Sequence, residues 1–365
     1  MIPAKAPHEF HEIVSSFALR GQVQSVGPCG HGHINESYEL VCDDQGRRRR
    51  YVLQRINHHV FKNVPALMQN VQRVTQHVRS KQPRALTLVP MHDGGFVKQD
   101  STGDWWRIYD YIEQAITVER VTTEAQAREA ARAFGEYQAL LVDLPGGRLH
   151  DTIPNFHHTR SRFETLRRAV TEDTAGRAAS VMNEIAFAMA READTDVLLN
   201  LLARGEITER VTHNDTKINN VMLDDVTGRC AAVIDLDTVM PGLSLYDFGD
   251  MVRTAASSTT EDNPDPTQMH VVLPYFRALV DGYLESAGTV LNAIERAHLG
   301  FAGKLLAFET GLRFLTDHLQ GDIYFRIHRT GHNLDRARTQ FALVKSIEEN
   351  ADAMRRIVDE AQKVF

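Results

Sequence analysis

The segment His213-Asn214-Asp215-Thr216-Lys217-Ile218-Asn219-Asn220, followed by Val233-Ile234-Asp235-Leu236-Asp237, decides how this chain folds. Its first part reads H-x-D-x-K-x-x-N. Transfer of a γ-phosphoryl group needs a carboxylate to orient the attacking hydroxyl and, a few residues on, an amide oxygen for Mg²⁺. Asp215 and Asn220 occupy those two places. The apolar run Ala231-Ala232-Val233-Ile234 reads as a buried strand that delivers Asp235 to the same metal. Lys217 lies two positions beyond the base, where an ammonium can neutralise charge on the transferred oxygens. His213 is read as a brace for the loop. Any one of these residues alone would be an ordinary loop residue or helix cap; the ordered set carries the assignment.

Downstream, Asp247-Phe248-Gly249 matches the D-F-G signature of protein kinases letter for letter. Position argues against it. Asp235 follows Asp215 by the length of a strand, a turn and a second strand, whereas Asp247 lies beyond Pro241 and Gly242 in the next element. Asp247 and Asp250 are expected to be structural, capping a helix start and bonding back to the catalytic loop.

Toward the N-terminus, Phe10, Ile13, Val14 and Phe17 share one face of an early helix. Residues 27–35, Gly-Pro-Cys-Gly-His-Gly-His-Ile-Asn, form a glycine-rich turn before the alternating stretch 37–41. Gly30 and Gly32 would let backbone amides approach nucleotide phosphates. An isolated G-x-G is a plain turn, and Asn35 stands where the protein-kinase pattern has its third glycine; location upstream of the catalytic loop supports the phosphate reading. Strand 51–56 occupies the place of the phosphate-holding kinase lysine and offers Arg55, or else Gln54. The helix expected over 65–79 contains no glutamate to pair with that base, only Gln69, Gln72 and Gln76. Strands at 86–90 and 96–98 lead into Trp105-Trp106-Arg107-Ile108-Tyr109-Asp110, which ends in a hinge, Tyr111-Ile112-Glu113, whose backbone would meet adenine. A capping box from Thr123 to Gln126 starts a helix striped with Ala127, Ala131, Phe134, Ala139 and Leu140 and ended by Gly146-Gly147. Helical patterns at 181–189, 275–284 and 301–319 follow. The expectation is an α+β, protein-kinase-like two-lobed fold: a small antiparallel-sheet N-lobe over 1–113 and a larger, mainly helical C-lobe over 114–365.

Composition agrees with this. A chain of 365 residues, 42% hydrophobic and 24% charged, can bury a sizeable core. A net charge of -7 argues against nucleic acid as partner. The run Arg47–Arg50 follows Asp43-Asp44-Gln45-Gly46 and reads as a charged hairpin tip. The sequence 261–266 reads as an acidic surface loop. Cys29, Cys42 and Cys230 form no C-x-x-C pair, which implies a reducing compartment and no zinc site. The start lacks a signal-peptide core and no apolar stretch reaches membrane-spanning length, so a cytoplasmic protein without membrane contact is expected, a monomer being favoured.

With these residues in place the chain resembles the aminoglycoside phosphotransferase and choline kinase group, and within it looks like the N-acetylhexosamine 1-kinases. The likeness rests on Gly-His-Ile-Asn at 32–35, Leu-Gln-Arg-Ile-Asn at 53–57, His-Asn-Asp-Thr-Lys at 213–217 and Ile-Asp-Leu-Asp-Thr-Val-Met-Pro-Gly at 234–242. It implies ATP and Mg²⁺ as cofactors and phosphorylation of the anomeric hydroxyl of N-acetylglucosamine or N-acetylgalactosamine, with Asp215 as base and Asn220 and Asp235 on the metal. It also implies sugar contacts from His33, Arg313 and Tyr324. The helical wheel alone places Arg313 beside Glu309 and Asp317, where a surface ion pair serves equally well. Two other readings stay open: the same chemistry on an aminoglycoside, an amino alcohol or another sugar, and a kinase-like scaffold that binds nucleotide without turnover.

Overall fold

The computed structural model describes residues 10–30 and 34–365. The described residues open with a single helical turn, α1 (His11–Val14), and the strands β1 (Gln22–Pro28), β2 (Glu36–Asp44) and β3 (Arg47–Ile56). Helix α2 (Val64–Lys81) follows, then the short β4 (Lys98–Gln99) and β5 (Trp105–Asp110). These strands make one antiparallel sheet in the order β1-β2-β3-β5-β4. Its tightest turn, Gln45-Gly46, has positive φ at both residues, as a two-residue hairpin demands. The arginines at 47–50 enter β3 there, and Arg48, Arg49 and Arg50 pair with Glu39, Asp44 and Glu113, so the charged-hairpin reading holds.

Three differences from expectation have local causes. The early helix closes after one turn, yet Phe10, Ile13 and Phe17 are still buried, on the outer face of the sheet. Residues 86–90 do not form a regular strand; they run along β5 with isolated bonds, Val89 N–H to Ile108 O (2.8 Å) and Asp110 N–H to Thr87 O (2.9 Å). Half of the capping box forms: Thr123 accepts from the Gln126 N–H, but the glutamine side chain reaches back to Thr122 instead.

A two-residue strand β6 (Ala115–Ile116) leads into a mainly helical body. Helices α3 (Glu124–Leu141), α4 (Thr159–Glu172), α5 (Met182–Met189) and α6 (Val197–Ala203) come first. The helix expected to run to Gly146-Gly147 ends at Leu141. Then come β7 (Arg210–Thr212), β8 (Val221–Asp224), β9 (Cys230–Val233) and β10 (Met240–Gly242). They form the antiparallel sets β6-β8-β9 and β7-β10. The rest is helical: α7 (Ser244–Ala255), α8 (Leu273–Ala287), α9 (Ala293–Ala297), α10 (Leu299–Gln320), α11 (His332–Glu349) and α12 (Ala351–Ala361).

This is the kinase-like arrangement of a small antiparallel sheet and a larger helical lobe. One continuous apolar core runs from α2 through α3, α7, α8 and α10, while a second, smaller core fills the outer face of the sheet under α1. The cleft side of the sheet therefore meets the helical body through α2. Among the described residues no helix is long and apolar enough to cross a membrane.

Candidate active site

The loop between β7 and β8 carries Asp215, and the turn after β9 carries Asp235. Two contacts of Ile234 bring them together: its N–H donates to Asn220 O (2.9 Å), and the His213 side-chain Nε2 lies 2.9 Å from its carbonyl oxygen. His213 is fully buried and its Nδ1 accepts from the Asp215 N–H (3.3 Å), so it fixes the loop and stays out of the cleft. Asp247 does the rest: its carboxylate accepts from the N–H groups of His213 (3.0 Å) and Asn214 (2.7 Å) and from Gln138. The D-F-G match is thus a structural support in the first turn of α7, although its carboxylate holds the catalytic loop and does not cap the helix.

Asp215 is 24% exposed and its Oδ2 lies 3.0 Å from Lys217 Nζ. Burial works to raise its carboxyl, but Lys217, His213 and Arg253 outweigh that and hold it below the ordinary carboxylate range. A carboxylate held down in this way is suited to accept a proton. Asn220 turns its amide N–H₂ toward Asp215, to the backbone oxygen (2.8 Å) and to Oδ2 (3.1 Å), which leaves its carbonyl oxygen unpaired. Asp235 reaches the open cleft from a left-handed backbone (φ 60°, ψ 60°), a conformation aspartate tolerates better than most side chains. Enclosure by protein on its other sides, then Asp237 and Asp215, push its carboxyl up to about 6. A divalent cation would relieve that crowding. Two unpaired oxygens, one amide and one carboxylate, match what Mg²⁺ takes from a protein when phosphates and water complete its shell. Asn220 and Asp235 therefore fit the metal.

On the sheet, alternation decides which side chains face the cleft. Tyr51 and Leu53 point to the outer core, and Arg55 goes with them, paired to Glu36 and to Asp104 (2.8 Å). Arg55 does not fill the phosphate position expected of it. The cleft side at that level carries Gln54 and, directly across the register, Arg107 of β5. Arg107 is 1% exposed and lies 2.5 Å from Asp237. The signal was present in the sequence: a charged residue inside an apolar strand must be paired if it is buried. A similar signal was missed in α2, where Asn70 sits on the apolar face and bonds His150 and the Val239 carbonyl (3.1 Å). None of the three glutamines takes the role of the missing glutamate; Gln69 meets His150.

Gly30 has φ +76° and open space around it, as a close-approach glycine should; Gly32 and His33 lie outside the described residues. At the hinge, the Tyr111 N–H is taken by Arg50 O (3.2 Å), and the Glu113 carboxylate by the Arg50 guanidinium. The backbone N–H groups of Ile112 and Glu113 remain without an intramolecular partner among the described residues.

Beside Asp215 opens a cavity of about 360 Å³, within the range of small-ligand pockets. Its acids are Glu119, Asp215, Asp250 and Glu261; its bases are Arg120, Lys217, Arg253 and Arg313, with His157 beside them. Asp250 and Glu261 are both engaged by Arg253, at 2.7 and 3.0 Å. Arg313 makes no salt bridge among the described residues, although its charge reaches Glu309. Glu309 is buried on His157 (2.8 Å) and Thr159 (2.6 Å), and Asp317 accepts the N–H groups of Ile323, Tyr324 and Phe325. The surface ion pair open to Arg313 therefore does not form, and its guanidinium lies over the rings of Phe156 and Phe325 at the cavity wall. Tyr324 is 67% exposed and outside that wall, packed edge-on to Phe325. Three buried oxygens of lining residues, Asn219 Oδ1, Asp250 Oδ2 and Gln340 Oε1, have no hydrogen-bond partner among the described residues. Sequence patterns did not point to Asp250, Arg253, His157 or Gln340 as cavity residues, since only the packing of α4, α7, α10 and α11 assembles them.

Comparison with known proteins agrees with this fold. The model of the phosphotransferase enzyme family (APH) matches residues 25–289, well over half of the chain. Among solved structures, a microcompartment-associated aminopropanol kinase is similar at a TM-score of 0.61 with 16% identity, over 95% of this chain and 98% of that one. A spectinomycin phosphotransferase in complex with ADP and spectinomycin is similar at 0.56 with 11% identity, over 99% of both chains. A choline kinase from Cryptosporidium parvum is similar at 0.52 with 14% identity, over 92% of both.

Proposed function

Because the chain belongs to the phosphotransferase enzyme family, we propose that it is an ATP- and Mg²⁺-dependent kinase of an uncharged polyhydroxylated acceptor, an N-acetylhexosamine phosphorylated at its anomeric hydroxyl. One observation carries the reading of the acceptor: the cavity beside Asp215 sets four carboxylates against four permanent cations and His157, two of the carboxylates are already spent on Arg253, and Arg313 makes no salt bridge among the described residues. A multiply cationic aminoglycoside or a quaternary amine wants an acidic wall. An oxygen-rich neutral ligand instead suits a free guanidinium, aromatic faces at Phe156 and Phe325, and unsatisfied oxygens that accept from hydroxyls. The sequence likeness to N-acetylhexosamine 1-kinases narrows the class further.

Asp215 takes the proton of the acceptor hydroxyl as its oxygen forms the new bond to the γ-phosphorus. The bond from that phosphorus to the bridging oxygen breaks, and ADP leaves. The ring oxygen makes an anomeric hydroxyl more acidic than other sugar hydroxyls, so the carboxylate has less proton-transfer work to do. Lys217 stands beside Asp215 to offset negative charge on the moving phosphoryl group. Mg²⁺ held by Asn220 Oδ1 and Asp235 would neutralise the nucleotide phosphates. Backbone groups of Ile112 and Glu113 would meet the adenine edge, and the turn containing Gly30 the phosphates. Arg313 would bind the sugar, with Tyr324 at the rim. The boundary between nucleotide and acceptor lobes is placed after Glu113. A cytoplasmic protein acting as a monomer completes the reading; the three unpaired cysteines support the reducing compartment.

Purified protein incubated with ATP, Mg²⁺ and a panel of acceptors tests this. The panel holds N-acetylglucosamine, N-acetylgalactosamine, glucose, choline, aminopropanol and spectinomycin. An acid-labile sugar 1-phosphate from an N-acetylhexosamine is the expected product. Turnover confined to the amines would overturn the acceptor assignment, and turnover of none would return the chain to the scaffold reading.

A further inference from the structure

We propose that Asp237 is a positioning residue: with Arg107 and Asn35 it forms a buried clamp that fastens the metal-bearing turn to the sheet, replacing the strand-lysine and helix-glutamate pair that this chain lacks. Asp237 is two residues from Asp235 and would be the natural candidate for a second metal ligand. Its surroundings argue otherwise. The side chain is 2% exposed, its Oδ1 accepts from Arg107 Nη1 at 2.5 Å, and its Oδ2 accepts from Asn35 Nδ2 at 2.5 Å. Both oxygens are thus committed to the N-lobe.

The partners are themselves held. Gln54 Oε1 accepts from Arg107 Nε (3.0 Å) and Nη2 (2.9 Å), which aims the guanidinium at the turn. Asn35, at the exit of the glycine-rich segment, accepts the Asn57 N–H on its own oxygen (3.0 Å). On the far side, Thr152 donates to the Asp237 carbonyl (3.1 Å) and Asn70 of α2 to that of Val239 (3.1 Å). One carboxylate therefore joins β5, β3, the glycine-rich segment and the turn that presents Asp235. The helix that carries the ion-pairing glutamate in protein kinases acts here through a neutral amide. Asn35, which breaks the glycine pattern, is accounted for by the same contact.

The catalytic half of this inference rests on the phosphotransferase reading, so the test has one readout that needs no ligand. In the protein alone, hydrogen exchange of the amides in residues 35–38 and 235–239 should accelerate at least tenfold in Asn35→Ala and Asp237→Asn, with α8 and α12 unchanged. Calorimetric titration with ADP and Mg²⁺ supplies the second readout. A clamp requires that Arg107→Met and Asp237→Asn each weaken Mg²⁺-dependent ADP binding tenfold or more, with the double variant no worse than either single. A metal ligand gives the opposite sign: Arg107→Met would release a carboxylate to the metal and tighten binding, which would overturn the proposal, as would unchanged exchange. If Asp237→Asn does not fold, Asn35→Ala, which removes only the neutral arm, decides. Failure of the wild-type protein to bind ADP and Mg²⁺ would strike the phosphotransferase reading while exchange still judges the clamp.

Discussion

Asp215 owes its ionised state to neighbours and not to solvent, since Lys217, His213 and Arg253 hold its carboxyl down against burial. Removing the carboxylate while keeping its shape isolates the base: Asp215→Asn should lower turnover by about 10²-fold or more, the range typical of general-base loss. The circular dichroism spectrum should be unchanged. A rate near wild type would remove the base assignment. A second buried charge pair supports the same loop. His157 Nδ1 lies 2.8 Å from Glu309, and its Nε2 lies 3.0 Å from the Asn214 carbonyl, next to Asp215. Burial opposes a charged imidazole, but Glu309 outweighs it and raises the His157 pKa above 6.5. Burial likewise opposes the carboxylate, and His157 and Thr159 hold Glu309 below 4.5.

A raised histidine adds stability that is complete below its unfolded pKa and fades as pH rises through the folded one; a depressed glutamate adds stability that is present above its unfolded pKa and lost as pH falls through the folded one. Both act together between pH 4.5 and 6.5. Urea denaturation should therefore show the widest gap between wild type and Glu309→Gln in that window, narrowing at higher pH. By NMR, the His157 ring should titrate above 6.5 in wild type and below it in the variant. A wild-type value at or under 6.5 contradicts the pair.

At the scale of elements, the glycine of Asp247-Phe248-Gly249 serves helix packing. A Cβ on Gly249 of α7 would stand 2.4 Å from the Ala302 carbonyl oxygen on α10, and one on Gly303 would stand 2.5 Å from Val252. These glycines let the helix that supports the catalytic loop lie close against the helix that carries Glu309 and Arg313. Backbone cannot yield as a flexible side chain can, so Gly249→Ala should destabilise the protein by about 1–3 kcal/mol, the usual cost of overpacking. Equilibrium denaturation measures this, and an unchanged midpoint would remove the packing argument. Helical periodicity found α5, α8 and α10 within a few residues but not α4, α11 or α12. The wheel of α10 put Glu309 on a flank, where it is buried because residue 157 and the start of α4 cover it.

At the scale of the molecule, the core that includes α2 continues without a break into α3, α7, α8 and α10. Both tryptophans, Trp105 and Trp106, lie in β5, whereas most helix belongs to the larger lobe. A continuous core makes the lobes unfold together, so tryptophan fluorescence and far-ultraviolet circular dichroism should give coincident urea transitions. A fluorescence transition at clearly lower urea would show that the sheet melts by itself.

Local order in the sequence was enough to bring Asp215, Lys217, Asn220 and Asp235 close together and to imply the two-lobed fold, because residues that share a loop and the next strand are joined by short-range geometry. It also supplied the hairpin of arginines and the rejection of the D-F-G match. Only the tertiary structure decided that Arg55 faces outward while Arg107 faces the cleft, that Asp237 is bound to the sheet, and that Arg313 makes no salt bridge among the described residues. Those outcomes depend on which face of a strand or helix another element covers, and on partners more than a hundred residues away, and no local spacing records either.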